Sequence, residues 1–140
     1  MNANEVINGK WGRIWVNGEL WAECKSFEGK VVGEWEDISF CEEMGNKRKL
    51  IGFSGEGTMV LHKMYTRGGN LLAEGFKTGI MPDIKIVSKL ADPAAKGHER
   101  VEILQVTFDE FTLMKFEDKS VTEEELPFKF GDYNYLDKIA

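Results

Sequence analysis

Arg13-Ile14-Trp15-Val16-Asn17-Gly18-Glu19-Leu20-Trp21-Ala22 decides the fold class. Two apolar-rich runs flank an Asn-Gly dipeptide, which adopts the two positive φ angles that a type I′ turn demands. A hairpin here makes the chain antiparallel β from its first element. Outward from it, Phe27, Gly29, Val31, Gly33 and Trp35 alternate with Glu28, Lys30, Val32, Glu34 and Glu36. The first set is expected to pack, and the second to form a largely acidic, solvated face. Continuation through Ile38-Ser39-Phe40-Cys41 makes the run longer than an ordinary strand, so a kink or bulge is expected between Gly33 and Asp37.

The next stretch, Met44 to Gly57, holds four glycines and the basic triplet Lys47-Arg48-Lys49. It reads as a long mobile loop, and unstructured loops of that length usually serve a function. Thr58 to Met64 resumes alternation. One segment reads as a helix: Thr66 as N-cap, an apolar stripe of Leu71, Leu72, Ala73 and Phe76, Lys77 in the last turn, Gly79 as stop and Pro82 beyond. Strands are expected again at Ile84 to Leu90, Arg100 to Phe108, Thr112 to Phe116 and Pro127 to Tyr133. A turn-rich loop, Asp92 to Glu99, separates the first two. The expected architecture is mainly β, with two packed antiparallel sheets in a sandwich or flattened barrel and one flanking α-helix. Residues 1–140 form a single domain in this reading, with an N-terminal arm of about residues 1–8 and the loop at about 44–57.

Composition narrows the function. The chain has 140 residues, 18 Lys plus Arg against 24 Asp plus Glu, and a formal net charge of −6. That is one domain with material for a full core. An acidic chain without a basic stripe is poorly suited to grip phosphate backbones. No apolar run approaches the roughly 20 residues needed to span a bilayer, so no membrane anchoring is expected. Met1 to Glu5 lacks the features of a signal peptide, and the expectation is synthesis in the cytoplasm. Cys24 and Cys41, in runs that read as strands, are expected to be free, half-buried thiols.

Catalytic patterns are missing. His62 and His98 have no companions at metal-ligand spacing, so no metal or other cofactor is expected. Gly52-Phe53-Ser54-Gly55 is too short for a nucleophile elbow. The carboxylate runs Glu42-Glu43, Asp109-Glu110 and Glu123-Glu124-Glu125 read as solvated surface, and His98 beside Glu99 reads as wet loop. Trp11, Trp15, Trp21 and Trp35 crowd the first quarter of the chain, which leaves a small monomeric β-barrel that binds a ligand as the alternative function. The charge layout points elsewhere. Glu28 to Glu43 carries six acids against Lys30, and Glu117 to Glu125 five against Lys119, while Lys47 to Lys49 is wholly basic. Acidic faces and a basic segment on one chain suit self-association.

The order of parts resembles the tail tube proteins of contractile phage tails, in the version carried by PBSX-type prophages and phage-tail-like bacteriocins. Gly9-Lys10-Trp11-Gly12-Arg13-Ile14-Trp15-Val16-Asn17-Gly18-Glu19 is similar to that family's opening hairpin. Lys89-Leu90-Ala91-Asp92-Pro93 with Gly97-His98-Glu99-Arg100-Val101 resembles its mid-chain loop and strand, and Pro127-Phe128-Lys129-Phe130-Gly131-Asp132-Tyr133 its closing strand. The resemblance implies a non-enzymatic subunit with the fold of the type VI secretion tube protein. Six copies form a ring, and rings stack into a tube bored by a β-barrel to which every subunit contributes. It makes Glu28, Lys30, Glu34 and Glu36 candidates for the lumen, and Gly45, Asn46, Lys47, Arg48, Lys49, Leu50 and Ile51 candidates for stacking between rings. It implies sheath and baseplate partners, DNA passing without specific binding, and a final location in a tail or tail-like particle. The arm 1–8 and Leu136 to Ala140 are expected to reach neighbours.

Overall fold

The computed structural model describes residues 1–140. Nine strands run β1 Gly12–Val16, β2 Glu19–Leu20, β3 Cys24–Ile38, β4 Lys47–His62, β5 Ile86–Leu90, β6 Glu99–Leu104, β7 Thr107–Phe108, β8 Glu123–Phe130 and β9 Asp132–Asp137. A single helix, α1, spans Arg67–Thr78 between β4 and β5. One sheet has the order β2-β1-β5-β6-β9 and the other β3-β4-β8-β7. All pairings are antiparallel. The sheets pack around Ile14, Val16, Ile86 and Ile103 from the first and Met59, Leu61, Leu126 and Phe128 from the second, with Leu72 of α1 closing one side.

The opening hairpin forms as its residues dictate. Asn17 and Gly18 take φ of 49° and 83°, and Trp15 faces Leu20 while Val16 faces Glu19. Helix α1 starts after Thr66 and stops at Gly79, whose φ of 79° is the left-handed cap and whose N–H donates to the Gly75 carbonyl. Thr66 makes no side-chain cap. The expected irregularity in β3 falls between Glu34 and Trp35, where the register with β4 shifts.

Four expectations need correction. Met44 to Gly57 is not a loop: from Lys47 onward it is the first half of β4, and the turn between strands is confined to residues 39–46. Two of its glycines are partners of large rings. Gly55 faces Phe130, Gly57 faces Phe128, and a Cβ on Gly57 would lie 2.5 Å from Phe128 Cζ. Phe40 and Cys41 belong to that turn, since β3 ends at Ile38, and Cys41 is an exposed thiol.

Thr112 to Phe116 is not a strand but part of a long connection between β7 and β8, with Leu113, Met114 and Phe116 all about four-fifths exposed. Finally, two stretches read as single strands each switch sheets. Gln105, at φ 54°, separates β6 from β7, and Gly131 separates β8 from β9. The two switch points touch: Gly131 N–H donates to the Leu104 carbonyl at 3.3 Å, and the space beside Gly131 is filled by the Gln105 side chain. Chains that cross between sheets at one corner hold a sandwich closed there.

Candidate assembly surfaces

Strands β3 and β4 form the longest pairing in the molecule, from Cys24 opposite Leu61 to Ile38 opposite Lys47. Strand β8 supports β4 only from Gly55 to His62. Beyond Gly55 the pair therefore continues as a free two-stranded ribbon, roughly 25 Å long at about 3.4 Å per residue. Its root is held by Phe53, whose ring meets Tyr133 of β9 edge-on at 5.8 Å.

One ribbon face continues the core side of the sheet and carries Val31, Phe53, Trp35 and Leu50, each 44–53% exposed. The alternation of β3 therefore holds, but the face expected to pack does so only near Phe27, which stacks on Phe128 at 5.6 Å. A lone two-stranded ribbon is marginal in water, and apolar side chains along it lower its solubility further.

The seven residues expected to stack between rings divide. Gly45 and Asn46 lie in the turn, whereas Lys47, Arg48, Lys49, Leu50 and Ile51 form the distal end of β4. Of the basic triplet, only Lys47 forms an ion pair within the chain. Lys47 Nζ is 3.0 Å from Glu43, Arg48 stands opposite Asp37 and stacks on Trp35 at 4.6 Å, and Lys49 stands opposite Glu36. The ribbon also leaves large apolar side chains exposed: Leu50, Ile51 and Trp35, with Phe40 and Met44 in the turn.

The four residues expected at the lumen do come together. Glu28, Lys30, Glu34 and Glu36 are exposed and line one face of β3. Register places Glu56 of β4 opposite Lys30, and Lys129 of β8 opposite Glu56, on the same outward face. Lys30 bonds Glu56 at 3.4 Å and Lys129 bonds Asp109 at 3.2 Å. Lys30 and Lys129 are thus neutralised locally, Lys49 stands opposite Glu36, and the face stays net negative through Glu28, Glu34 and Glu125.

Both sheet edges at the ends of this layer are open. Strand β3 has no neighbour on its outer side along all 15 residues. At the far edge, β7 covers β8 only at Lys129 and Phe128, leaving Glu123 to Leu126 without a partner on that side. Unpaired edges of this length are templates for another chain.

The N-terminal segment has two contacts with the loop after β5. Asn8 N–H donates to Asp92 Oδ2 at 2.9 Å, and Lys96 lies 3.7 Å from Glu5. Leu136 lies in β9, so only residues 138–140 trail beyond the sheet. The tryptophans do not converge: Trp15 and Trp21 belong to the β1-β2 hairpin region, and Trp35 to the ribbon of the other sheet. His98 Nε2 is 3.3 Å from Asp137 rather than paired with Glu99.

Sequence reasoning missed a buried ion cluster that sets how α1 docks. Arg67 donates from Nε to Glu23 at 2.7 Å and also bonds Glu19, while its guanidinium lies over Tyr65 at 4.6 Å. Burial pushes the Glu23 carboxyl up, but hydrogen bonds from Arg67 and from the Glu23 backbone N–H, with the guanidinium charge, outweigh it and leave the acid below its ordinary range. The hydrogen bond to Glu23 raises Arg67 further. Burial drives the Cys24 thiol up to about 11.

A sandwich with an open four-stranded layer, an unsupported ribbon and a charged outward face on that layer suits self-association. A chain of the PVC sheath-tube complex, an extracellular contractile injection system in its extended state, superposes with a TM-score of 0.70 at 11% identity, over 92% of this chain and 90% of that one. A chain of the native gene transfer agent virion gives 0.57 at 16% identity, over 93% and 98%. In sequence, the XkdM protein of phage-like element PBSX from Bacillus subtilis (strain 168) is 29% identical over 142 residues, spanning 100% of this chain and 97% of that one. The chain belongs to the phage tail tube protein family, whose profile matches residues 1–137. Its role is that of a structural tube subunit in a tail or tail-like particle.

Proposed function

We propose that six copies of this chain close into a ring, and that rings stack into the inner tube of a phage tail or phage-tail-like particle. The observation that carries this reading is the open layer β3-β4-β8-β7. Its two unpaired edges lie at opposite ends, so the β3 edge of one copy pairs with the β8 edge of the next, and repetition closes a barrel in which no edge remains. The outward face bearing Glu28, Lys30, Glu34 and Glu36 then lines the bore. A net acidic wall repels phosphates, so DNA slides through it without specific binding.

The ribbon, with Gly45 to Ile51 at its end, reaches the adjacent ring and buries Trp35, Leu50 and Ile51 there. Lys47 is paired within the chain while Arg48 and Lys49 remain available to acids of the adjacent ring, so the contact between rings is both apolar and charged. Sheath proteins cover the outer sheet β2-β1-β5-β6-β9, and a baseplate nucleates the first ring. The subunit is made in the cytoplasm and performs no catalytic step.

Light scattering across a concentration series, with negative-stain images of the same samples, tests the reading. Rings or tubes with a central hole are expected. A strict monomer at every concentration, even with a baseplate template present, overturns it.

A further inference from the structure

The two outward faces of the sandwich differ in charge. On the sheet β2-β1-β5-β6-β9, Ile14, Ile86 and Ile103 are buried in the core, so the residues alternating with them point outward. Register then sets three bases side by side on that outward face. Arg13 of β1 is opposite Lys89 of β5, and Lys89 is opposite Arg100 of β6. The row crosses three strands, roughly 10 Å at about 4.8 Å per strand. Like charges directly opposed across a strand pair are destabilising, and the acids of this face do not relieve them. Glu102 is held by Lys85 at 3.3 Å, Asp137 by Arg100 at 3.1 Å, and Asp132 accepts from the Tyr133 N–H at 2.8 Å. Arg13 and Lys89 have no acid opposite them, on a chain whose net charge is −6.

An apolar strip lies beside the row. Trp15 stands in register between Leu20 of β2 and Val87 of β5, and Leu20 is 42% exposed. Unpaired bases next to an apolar strip suit a folded protein surface that brings a few carboxylates and an apolar contact together. A nucleic acid fits less well. It binds through many phosphate contacts, and the net negative charge of the chain repels a polyanion that extends beyond these bases.

The geometry points to this face as the docking surface for an acidic patch of the protein that sheathes the tube, with Arg13 and Lys89 receiving its carboxylates and Trp15 its apolar contact. The inference rests on the tube reading above and deepens it by giving the sheath contact its chemistry. A carboxylate placed between the opposed bases relieves a repulsion that the free subunit carries, through charge-assisted hydrogen bonds. The two faces then divide by sign, acidic toward the bore and basic toward the sheath, so that neither occupant competes for the other's surface.

The double variant Arg13→Gln with Lys89→Gln tests it. In isolated subunits its urea midpoint is expected to equal or exceed that of the wild type, because neutralisation removes the opposed charges. In particles purified from cells where it replaces the wild-type chain, tubes of normal length are expected, with the sheathed length in negative stain reduced about tenfold or more. Arg13→Lys with Lys89→Arg keeps both charges and is expected to retain the sheath. Normal sheathing of the Gln variant, or loss of sheath from the charge-keeping variant, overturns the docking and leaves the tube reading standing. A lower urea midpoint or an absence of tubes in the Gln variant assigns the row to the fold or the ring and overturns it too. Bare wild-type tubes that retain a double-stranded DNA oligonucleotide released by the Gln variant, with both sheathed alike, assign the face to nucleic acid instead. Wild-type particles without tubes remove both readings.

Discussion

Arg67 lies between Glu23, whose side chain is 2% exposed, and the exposed Glu19, and it fastens the first turn of α1 to the segment joining β2 and β3. Arg67→Ala leaves the Glu23 carboxylate buried without its counter-charge and is expected to cost about 3 kcal/mol, read as a lower urea midpoint with unchanged slope. The same pair sets an acid limit. The Arg67 guanidinium holds Glu23 below the ordinary carboxylate range in the fold, so the unfolded chain takes up the proton first. The contribution is present above about pH 4.5 and is lost as pH falls through the folded value. Urea midpoints measured between about pH 6 and pH 3 are expected to fall, and Glu23→Gln to flatten that fall while starting from a lower stability. Gly57 is a second single-residue constraint. A methyl group there meets the Phe128 ring and the Glu28 backbone, neither of which can move freely, so Gly57→Ala is expected to destabilise by about 2 kcal/mol in the same assay.

The ribbon of β3 and β4 separates the energetics of folding from those of assembly. Trp35 and Leu50 face each other across it and are 48% and 53% exposed. Trp35→Ala with Leu50→Ala is expected to change monomer stability by only about 0.5 kcal/mol, yet to abolish stacked tubes while single rings persist in negative stain. Tubes of normal length from the double variant would refute a role for the ribbon between rings. Much of this element was legible in the chain: the alternation of β3, the row Glu28 to Glu36 on one face, and the irregularity that the structure puts between Glu34 and Trp35. The partner strand was not. Glycines at 52, 55 and 57 and the run Lys47 to Lys49 carry loop chemistry locally, and they become strand because Glu34, Phe130 and Phe128 stand opposite the glycines and Ile38, Asp37 and Glu36 opposite the bases. Those partners are distant in sequence or hidden by the bulge, so no local pattern exposes them. Gln105 and Gly131 escaped for a similar reason. A switch of sheet leaves no gap in apolar alternation, and only the contact between the two corners marks it.

At the scale of the molecule, the layer β3-β4-β8-β7 has the longest open edge and bears the acidic face. The outer sheet ends in the two-residue strand β2 at one side, a short edge that discourages further pairing. The β3 edge has 15 residues and no such protection. In the proposed ring, growth runs through the layer that carries Glu28, Glu34 and Glu36, and head-to-tail pairing puts that face on the concave side. Thiol labelling of assembled tubes distinguishes this arrangement from its reverse. Cys24 is a silent background, since burial raises its thiol to about 11 and keeps it protonated near neutral pH, and the exposed Cys41 is removed as Cys41→Ser. Glu34→Cys then places one reactive thiol on the proposed bore, and Glu74→Cys places one on the exposed surface of α1. In intact tubes a small maleimide is expected to modify both, whereas a maleimide on a protein too large to enter the bore is expected to reach only the α1 position. In dissociated subunits both reagents are expected to reach both sites. Equal access of the large reagent to Glu34→Cys in intact tubes would place this face outside, and with it the acidic wall and the account of DNA passage that depends on it.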